Sequence, residues 1–442
     1  MNIQISDHFN YNKLLRFALP SIIMMVFSSL YSVVDGFFVS NIAGKTSFAA
    51  VNLIVPVIMI LASNGFMFGA GGSALISKTM GEGDNDKAKR LFSLFVYSIA
   101  ISGIIISIIG FIFIRPIAIL LGANGTLLED CVLYGRILLF SMPFFMLQFG
   151  FQSFFVTAGK PNLGLVVTLI CGITNMVLDA LFMAVFSWGI AGAAIATAIS
   201  QILGGIIPLI YFSRDNSSLL RLTKTSFDGK ALLKACTNGS SELMTNISTS
   251  VVSILYNAQL MKYAGENGIA AYGVLMYVNM IFAAVFLGYS TGTAPIVSYH
   301  FGAKNHSETK GLLKKSISII TVFSICMFIL AELTAKPLSA IFISYDTELL
   351  AMTIRAFRIF SFSFLFAGIA VYGSAFFTAL NDGLTSALIS FLRTLLFKIV
   401  AALILPIFWG IDGIWVSIVA AELASFFVTI LFLKTKRRKF NY

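Results

Sequence analysis

The sequence predicts an all-α polytopic membrane protein, in which twelve transmembrane helices form two parallel six-helix repeats, two lobes around a central cleft. The chain has 442 residues, of which 58% are hydrophobic and only 11% are charged, and its mean hydropathy is +0.92. Soluble domains carry about 25% charged residues. A chain this apolar must satisfy its backbone polar groups within helices that lie in lipid, so neither a soluble enzyme nor a nucleic-acid-binding domain is expected.

Apolar stretches follow one another along nearly the whole chain. A transmembrane helix needs about 20 predominantly apolar residues. Twelve stretches meet this requirement, and they begin near Leu14, Ala50, Leu91, Leu133, Leu163, Ile190, Leu233, Ile269, Leu312, Ile354, Leu384 and Ile411. Little sequence remains for a further domain, so the core is predicted to be a helix bundle in the bilayer.

The basic residues are concentrated on one side of this predicted bundle. If the first helix starts inside, the inner segments hold about three times as many Lys and Arg residues as the outer ones. The inner set includes the basic tail at 434–439. The net charge of +11 therefore reflects topology, and it predicts a multi-pass protein of the cytoplasmic membrane with both termini in the cytoplasm. The first stretch is too long for the h-region of a cleavable signal peptide.

The two halves of the chain are similar to each other. A shift of 221 residues, half of the 442, superposes Trp-Gly-Ile at 188–190 on the same triplet at 409–411, and Gly192 on Gly413. Each half holds six spans, so the repeats are parallel and related by an axis along the membrane normal. We expect an N-terminal lobe at 1–213, a cytoplasmic linker at 214–232 and a C-terminal lobe at 233–442. Rocking of the lobes would give alternating access, although a duplicated channel or receptor would show the same pattern.

Two acidic residues interrupt the apolar spans of the first lobe. Asp35 lies in the first span, where a carboxylate costs roughly 3 kcal/mol on insertion scales. In the fifth span, Asn175 and Asp179 are one helical turn apart. Thr197 lies in the sixth span. Both acids fall past the middle of their spans towards the outside, so they are predicted to meet in one pocket.

A pocket with these groups has a specific chemistry. Two buried carboxylates close together favour sharing a proton, because two adjacent negative charges repel. Alternatively, the carboxylates of Asp35 and Asp179, the amide oxygen of Asn175 and a hydroxyl could surround Na⁺. H⁺ or Na⁺ is therefore the predicted coupling ion, and no other cofactor is indicated. The acids could instead only hold helices together, but Ser, Thr, Asn and Gln usually do this in membranes.

The second lobe carries a different set of charges. Glu242 lies in the seventh span, Arg393 and Lys398 in the eleventh and Glu422 in the twelfth. Their depths allow a Lys398–Glu422 ion pair near the midplane and a contact between Glu242 and Arg393. Such pairs would neutralise buried charge without a role in transport, and we interpret Arg393, Lys398 and Glu422 as structural.

Flexible and aromatic side chains on several spans are candidates for a substrate cleft. Methionine adapts to ligands of different shapes, and aromatic ring faces attract cations. The candidates on spans that should flank the cleft, together with two polar groups, are Tyr31, Met59, Gln152, Glu242, Met276, Met280 and Phe282.

Several motifs resemble the MATE (multidrug and toxic compound extrusion) family. They are Asp35 in span one, Asn175-x-x-x-Asp179 in span five, Gly-Lys-Pro at 159–161 and the small-residue segment at 188–197. The resemblance implies a V-shaped antiporter that exports organic, often cationic compounds in exchange for H⁺ or Na⁺, with its cation site in the N-terminal lobe. Other branches pair a Glu in span seven with an acid in span ten, and no acid occurs at 355–379.

Alternative functions remain open at this point. The wider superfamily includes flippases for lipid-linked saccharides, which need a strongly basic cleft, whereas only Arg393 and Lys398 lie within spans here. An ion channel is a second alternative. An ATP-driven pump is disfavoured because the sequence has no GxxxxGK[ST] phosphate-binding loop. We expect a monomeric transporter whose partners are small organic substrates and the lipid bilayer, with no nucleic acid.

Overall fold

The computed structural model of the protein describes residues 3–343 and 346–442, apart from the side chains at 40, 41, 45 and 342. Every regular element in these ranges is helical. The first half contains six helices: α1 (Tyr11–Phe38), α2 (Lys45–Gly81), α3 (Asn85–Leu120), α4 (Gly125–Thr157), α5 (Pro161–Asp179) and α6 (Gly189–Ser213). Polar N-cap side chains stabilise the N-termini of several of these helices. The Asn10 side chain accepts from Lys13 N at 2.8 Å, and the Asp84 side chain accepts from Lys87 N at 2.9 Å.

The second half repeats this order with two continuous helices that each contain a sharp break. It consists of α7 (Gly229–Gly302), α8 (His306–Phe342), α9 (Thr347–Ser361), α10 (Phe364–Ala379), α11 (Gly383–Phe391), α12 (Phe397–Thr435) and the short α13 (Arg437–Phe440). Gly265 in α7 (φ 61°, ψ −149°) and Gly410 in α12 (φ 56°, ψ −132°) have non-helical backbone angles. Each break turns one helix into two membrane crossings.

The membrane crossings of the described ranges add up to twelve. Nine helices are long and apolar enough to cross a membrane, and α9 with α10 forms a tenth crossing that is bent by 49°. The breaks at Gly265 and Gly410 divide two of these helices. The rings of Tyr256 and Tyr272, on either side of Gly265, stack at 5.6 Å between centroids, so the two arms of α7 pack against each other as a hairpin.

The backbone geometry supports the internal repeat. Left-handed conformations occur at Gly44 and Gly189 in the first half and at Gly265 and Gly410 in the second. These positions are related in pairs by the shift of 221 residues found in the sequence. Glycine occupies them because a side chain strains the backbone at positive φ. The repeat therefore preserves the turns between spans one and two and between spans five and six.

Both chain termini lie at one face of the bundle, the termini face, and the turns at Gly44 and Gly265 lie at the opposite, distal face. The lobes touch closely in the half next to the termini face. A Cβ atom added at Gly81 would lie 2.0 Å from the Tyr299 carbonyl oxygen, and one added at Gly302 would lie 2.1 Å from that of Lys78. The repeat relates these two contacts. We call this region, α2 near 78–81 packed on α7 near 299–302, the glycine seal.

The distal halves of the same helices present exposed side chains. Ser32 of α1, Met59 of α2 and Thr249 of α7 are all exposed. Ser29 Oγ donates across the lobes to the Met280 carbonyl oxygen at 3.2 Å. Closer to the distal face, a Cβ atom added at Gly36 or at Gly273 would meet nothing within 4 Å. The cleft between the lobes is therefore closed at the termini face and open at the distal face.

The glycine seal generates a prediction about the conformational equilibrium. Gly302→Ala should loosen the termini face, because the new methyl group would overlap the Lys78 backbone. Maleimide labelling of a cysteine at the buried Ser77, in a chain without the native cysteines, should become several-fold faster. Gly273→Ala is the matched control, since a Cβ atom there meets nothing within 4 Å. Equal labelling rates in the two variants would contradict the assigned role of the seal.

Candidate functional site

Two carboxylates meet near the distal face of the first lobe. Asp35 lies three residues before the end of α1, and Asp179 is the last residue of α5. Their side chains are within hydrogen-bonding reach of each other. Asp179 is completely buried, whereas Asp35 is partly exposed. Asp179 therefore lies in the lobe interior, and Asp35 lies at the edge of the pair that solvent can reach.

Asp179 stands immediately before one π-helical segment, and Asp35 lies one turn before another. The segment Val39–Ala43 follows α1, and Ala180–Val185 follows α5. The Val39 N–H is shared between the carbonyl oxygens of Asp35 and Gly36. Such wide turns are rare and occur frequently at functional sites. The two π segments contact each other, so the irregular backbone of both helices is concentrated beside the acid pair.

Several oxygen atoms at this position have no hydrogen-bond donor. Among the described residues, none donates to Asp35 Oδ1, to Asn175 Oδ1 or to either carboxylate oxygen of Asp179. Asn175 is buried, and its Nδ2 donates to Thr197 Oγ1 at 3.4 Å. Buried acceptors nearly always have a partner. Four unsatisfied oxygens on three neighbouring residues form an electronegative site suited to a proton or a small cation.

Tyr134 of α4 is part of this site, and sequence reasoning missed it. The side chain is 1% exposed. Its side chain is close to Thr197, and both Asp35 and Asp179 are near enough to act on it electrostatically. The available signal was weak: a tyrosine in an apolar span needs a partner for its hydroxyl, but that partner is on another helix.

Two of the predicted substrate residues lie along the cleft side of their helices, whereas Tyr31 packs inside the first lobe. A Cβ atom added at Gly172 of α5 would lie 3.1 Å from the Tyr31 ring, and Tyr31 lies one turn before Asp35. Met59 is 38% exposed in the distal half of α2. Met280 lies at the contact between the lobes, where its carbonyl oxygen accepts from Ser29.

Three other candidates lie inside the lobes, contrary to the interpretation that they face the cleft. Gln152 is buried between α4, α5 and α6 beside a small cavity. Phe282 is buried in the second lobe, where its ring packs at 5.1 Å from that of Phe364. Met276 lines a separate cavity within the second lobe. Span membership alone did not reveal which face of each helix turns inward.

The charges of the second lobe form one cluster. Arg393 Nε donates to Glu422 Oε2 at 2.8 Å, and Lys398 Nζ lies 3.6 Å from Glu422 Oε1. Glu242 was expected to pair with Arg393, but Arg393 pairs with Glu422 instead. Glu242 interacts with Arg393 only electrostatically, and it makes no ion pair within 4.0 Å in the described part of the chain.

The described residues contain no group of three or more His, Cys, Asp and Glu side chains that could hold a metal ion. The acid site has two carboxylates, an amide and a hydroxyl. Its chemistry therefore differs from that of a structural zinc site and suits a proton or an alkali cation, whose ligands are oxygen atoms.

Comparisons with known proteins agree with this architecture. A family model described as MatE matches residues 20–181 and 243–404, one segment in each half. The multidrug export protein MepA of Staphylococcus haemolyticus is 26% identical over 432 residues, covering 97% of this chain and 94% of that protein. MepA of Staphylococcus aureus strain MSSA476 is 25% identical over 420 residues, covering 93% of this chain and 91% of the relative.

Solved structures with the same fold include transporters. An outward-facing multidrug resistance MATE family transporter of the MOP superfamily superposes with a TM-score of 0.93 at 22% identity, covering 98% of this chain and 97% of that one. A MATE structure in the straight conformation gives a TM-score of 0.91 at 22% identity, with 98% of both chains covered. The predicted fold, twelve transmembrane helices in two lobes, is thereby confirmed.

The contact between Tyr134 and Thr197 can be tested by stability. Tyr134→Phe should lower the free energy of unfolding by about 1 kcal/mol, the usual net value of a buried hydrogen bond. SDS-driven unfolding of the purified protein measures this loss. Tyr97→Phe, at an exposed tyrosine of α3, is the control and should have no effect. A Thr197→Val background should abolish the Tyr134→Phe effect, and additive losses would contradict the contact.

Proposed function

The chain belongs to the MatE family, and from this premise we propose that it exports small organic, often cationic compounds in exchange for H⁺ or Na⁺. The chain is a membrane transporter and not an enzyme. Members of its family couple transport to an ion. Its relatives named multidrug export proteins support the assignment of multidrug efflux, an activity that contributes to antibiotic resistance.

The acid site carries this proposal. The donor-free oxygens of Asp35, Asn175 and Asp179 can accept a proton or coordinate Na⁺. A proton on one carboxylate would donate to the other, because the two groups are within hydrogen-bonding reach. Na⁺ would instead bind several of these oxygens at once. In both cases a positive charge neutralises a site that is costly to keep charged in the membrane.

The proposed topology indicates the side of the membrane from which the neutralising ion arrives. The excess of basic residues near the termini face supports a cytoplasmic location for both termini, and the distal face is then external. The open cleft would expose Asp35 to the external solution, where the coupling ion enters. One charge moving across 100 mV supplies about 2.3 kcal/mol, enough to bias a two-state equilibrium by nearly two orders of magnitude.

Transport then follows from exchange at the cleft. A monomer would bind its substrate while the acids are charged and the termini face is open. The lobes at 1–213 and 233–442, joined by the linker at 214–232, would rock so that the distal face opens. Entry of H⁺ or Na⁺ would remove the negative charge that holds a cationic substrate and favour its release. The exposed Met59 is proposed to contact the apolar part of the substrate.

Substitution of the acids tests the proposed coupling. Asp35→Asn and Asp179→Asn should each reduce ion-driven ethidium efflux from cells at least tenfold, because asparagine neither binds a proton nor carries the charge that attracts a cation. The matched control is Asp86→Asn, a carboxylate whose side chain is 86% exposed at the start of α3. It should retain efflux at equal expression. Normal efflux in either acid variant would refute the assignment.

The coupling ion can be identified with purified protein in proteoliposomes. Imposing a pH gradient and a Na⁺ gradient separately should drive dye transport with one of them, and the responding gradient identifies the ion. Asp179→Asn should lose that response. Transport with neither gradient, or flux that does not saturate with dye concentration, would argue for a different carrier mechanism or for a channel.

A further inference from the structure

The second lobe contains a cavity that lies apart from the acid site. It has about 80 Å³ of free volume and is bordered by both arms of α7, by α9, α10 and α12, and by the π segment Leu392–Leu396. The internal repeat relates one of its walls to the acid site, because Tyr256 aligns with Asp35. The same place in the two lobes therefore has different chemistry.

The cavity has an excess of positive charge. Arg393 and Lys398 both line it, and Glu422 is the carboxylate that faces them. The Glu422 side chain is 5% exposed, whereas those of Arg393 and Lys398 are 18% and 24% exposed. Glu242 interacts electrostatically with Arg393, but it does not line the cavity. Two cations therefore face the cavity with one anion between them, and both cations reach its free space.

The π segment brings these two cations to one face. In a regular α-helix, residues five apart point in directions about 140° apart. Here the Phe397 N–H bonds to the Leu392 carbonyl oxygen, an i to i+5 contact, and this wider turn aligns Arg393 with Lys398. π segments of this kind are often found at functional sites. Glu422 satisfies Arg393 at 2.8 Å, but its distance of 3.6 Å from Lys398 leaves the ammonium group able to bind a second acceptor.

The remaining walls are mostly aromatic. Tyr256 and Tyr272 are stacked on one side, and Phe286, Phe360 and Phe364 complete the apolar lining. Asn279 adds a polar group. The free volume accommodates a carboxylate group rather than a molecule of several rings. A ligand that fits is therefore one whose acidic end enters the cavity and whose aromatic body packs against these rings.

We propose that this cavity binds the carboxylate of aromatic anionic or zwitterionic substrates, with Lys398 as the residue that pairs with it. The inference rests on the proposed export of organic compounds and assigns the second lobe to the part of a substrate that carries a carboxylate. A zwitterion can place its cationic group near the acids of the first lobe and its carboxylate at Lys398. A compound that carries only one of these charges interacts with the charged groups of only one of the two lobes.

Binding of a matched pair of probes to the full-length protein tests this proposal. The probes are a naphthalene carboxylate and the corresponding neutral carboxamide, measured by calorimetry in phosphatidylcholine nanodiscs. Wild type should prefer the carboxylate about tenfold, as expected for a charge-assisted hydrogen bond. Lys398→Met should remove this preference, and Lys398→Arg should largely retain it. The control Lys336→Met, at an exposed lysine of α8, should bind as wild type does.

A second variant keeps the proposal falsifiable if Lys398→Met does not fold. Glu422→Gln removes the competing anion, so it should strengthen carboxylate binding several-fold while binding of the carboxamide stays constant. If the cluster serves only to neutralise charge inside the lobe, Glu422→Gln will not increase carboxylate binding, and the proposal is overturned. Equal affinity of wild type for both probes overturns it as well.

Two further measurements separate the alternatives. If phosphatidylglycerol added to the nanodisc abolishes the Lys398-dependent preference for the carboxylate, the cavity belongs to lipid head groups and the assignment is wrong; an unchanged preference supports the substrate. Ethidium transport by the wild type reports on the proposed function itself. Active ethidium export without a preference for the carboxylate rejects the second-lobe site alone, whereas absence of export rejects the function on which it rests.

Discussion

The unfavourable placement of two carboxylates side by side within a membrane lobe is the constraint on which the rest of the structure depends. Each charged acid costs roughly 3 kcal/mol in a span on insertion scales, and proximity adds repulsion between them. The protein does not relieve this cost with a permanent basic partner: among the described residues, no donor reaches Asp35 Oδ1 or either oxygen of Asp179. A site with this arrangement favours the binding of a positive charge, and this is the property on which the proposed coupling to H⁺ or Na⁺ depends.

The sequence revealed this site because helical spacing holds along most of each span. Asn175 and Asp179 are one turn apart in α5, as their spacing predicts, and the costly acids could be recognised without coordinates. The same reasoning failed where the helices depart from regular geometry. The alignment of Arg393 with Lys398 depends on the π segment at Leu392–Leu396. Neither the composition nor the periodicity of the sequence predicts such a segment. Tyr134, Gln152 and Phe282 were missed or misplaced because their role depends on which neighbouring helix they face.

The repeat shows how one architecture supports two different sites. The shared turns at Gly44 and Gly265, and at Gly189 and Gly410, are backbone requirements, so they survive divergence of the side chains. The side chains between them have no such constraint. Where the first lobe has Asp35, the second has Tyr256, and where the first has Gln201, the second has Glu422 with two basic partners. Divergence within a shared frame thus gives the two lobes different buried charges at corresponding places.

Helix α1 connects the acid site with the contact between the lobes. Its distal end carries Asp35, while Ile22 of the same helix packs so closely on α7 that a Cβ atom at Gly288 would lie 2.5 Å from the Ile22 Cα atom. Ser29, between these positions, bonds across the lobes to Met280. Because a helix is stiff over this length, a change in position at Asp35 also moves the lobe contacts at Ser29 and Ile22. Pro20, which lacks an N–H donor, is the point beyond these contacts at which the helix can bend. Packed interfaces of this kind adopt discrete arrangements rather than deforming continuously, so the proposed neutralisation of the acids would select between two lobe positions.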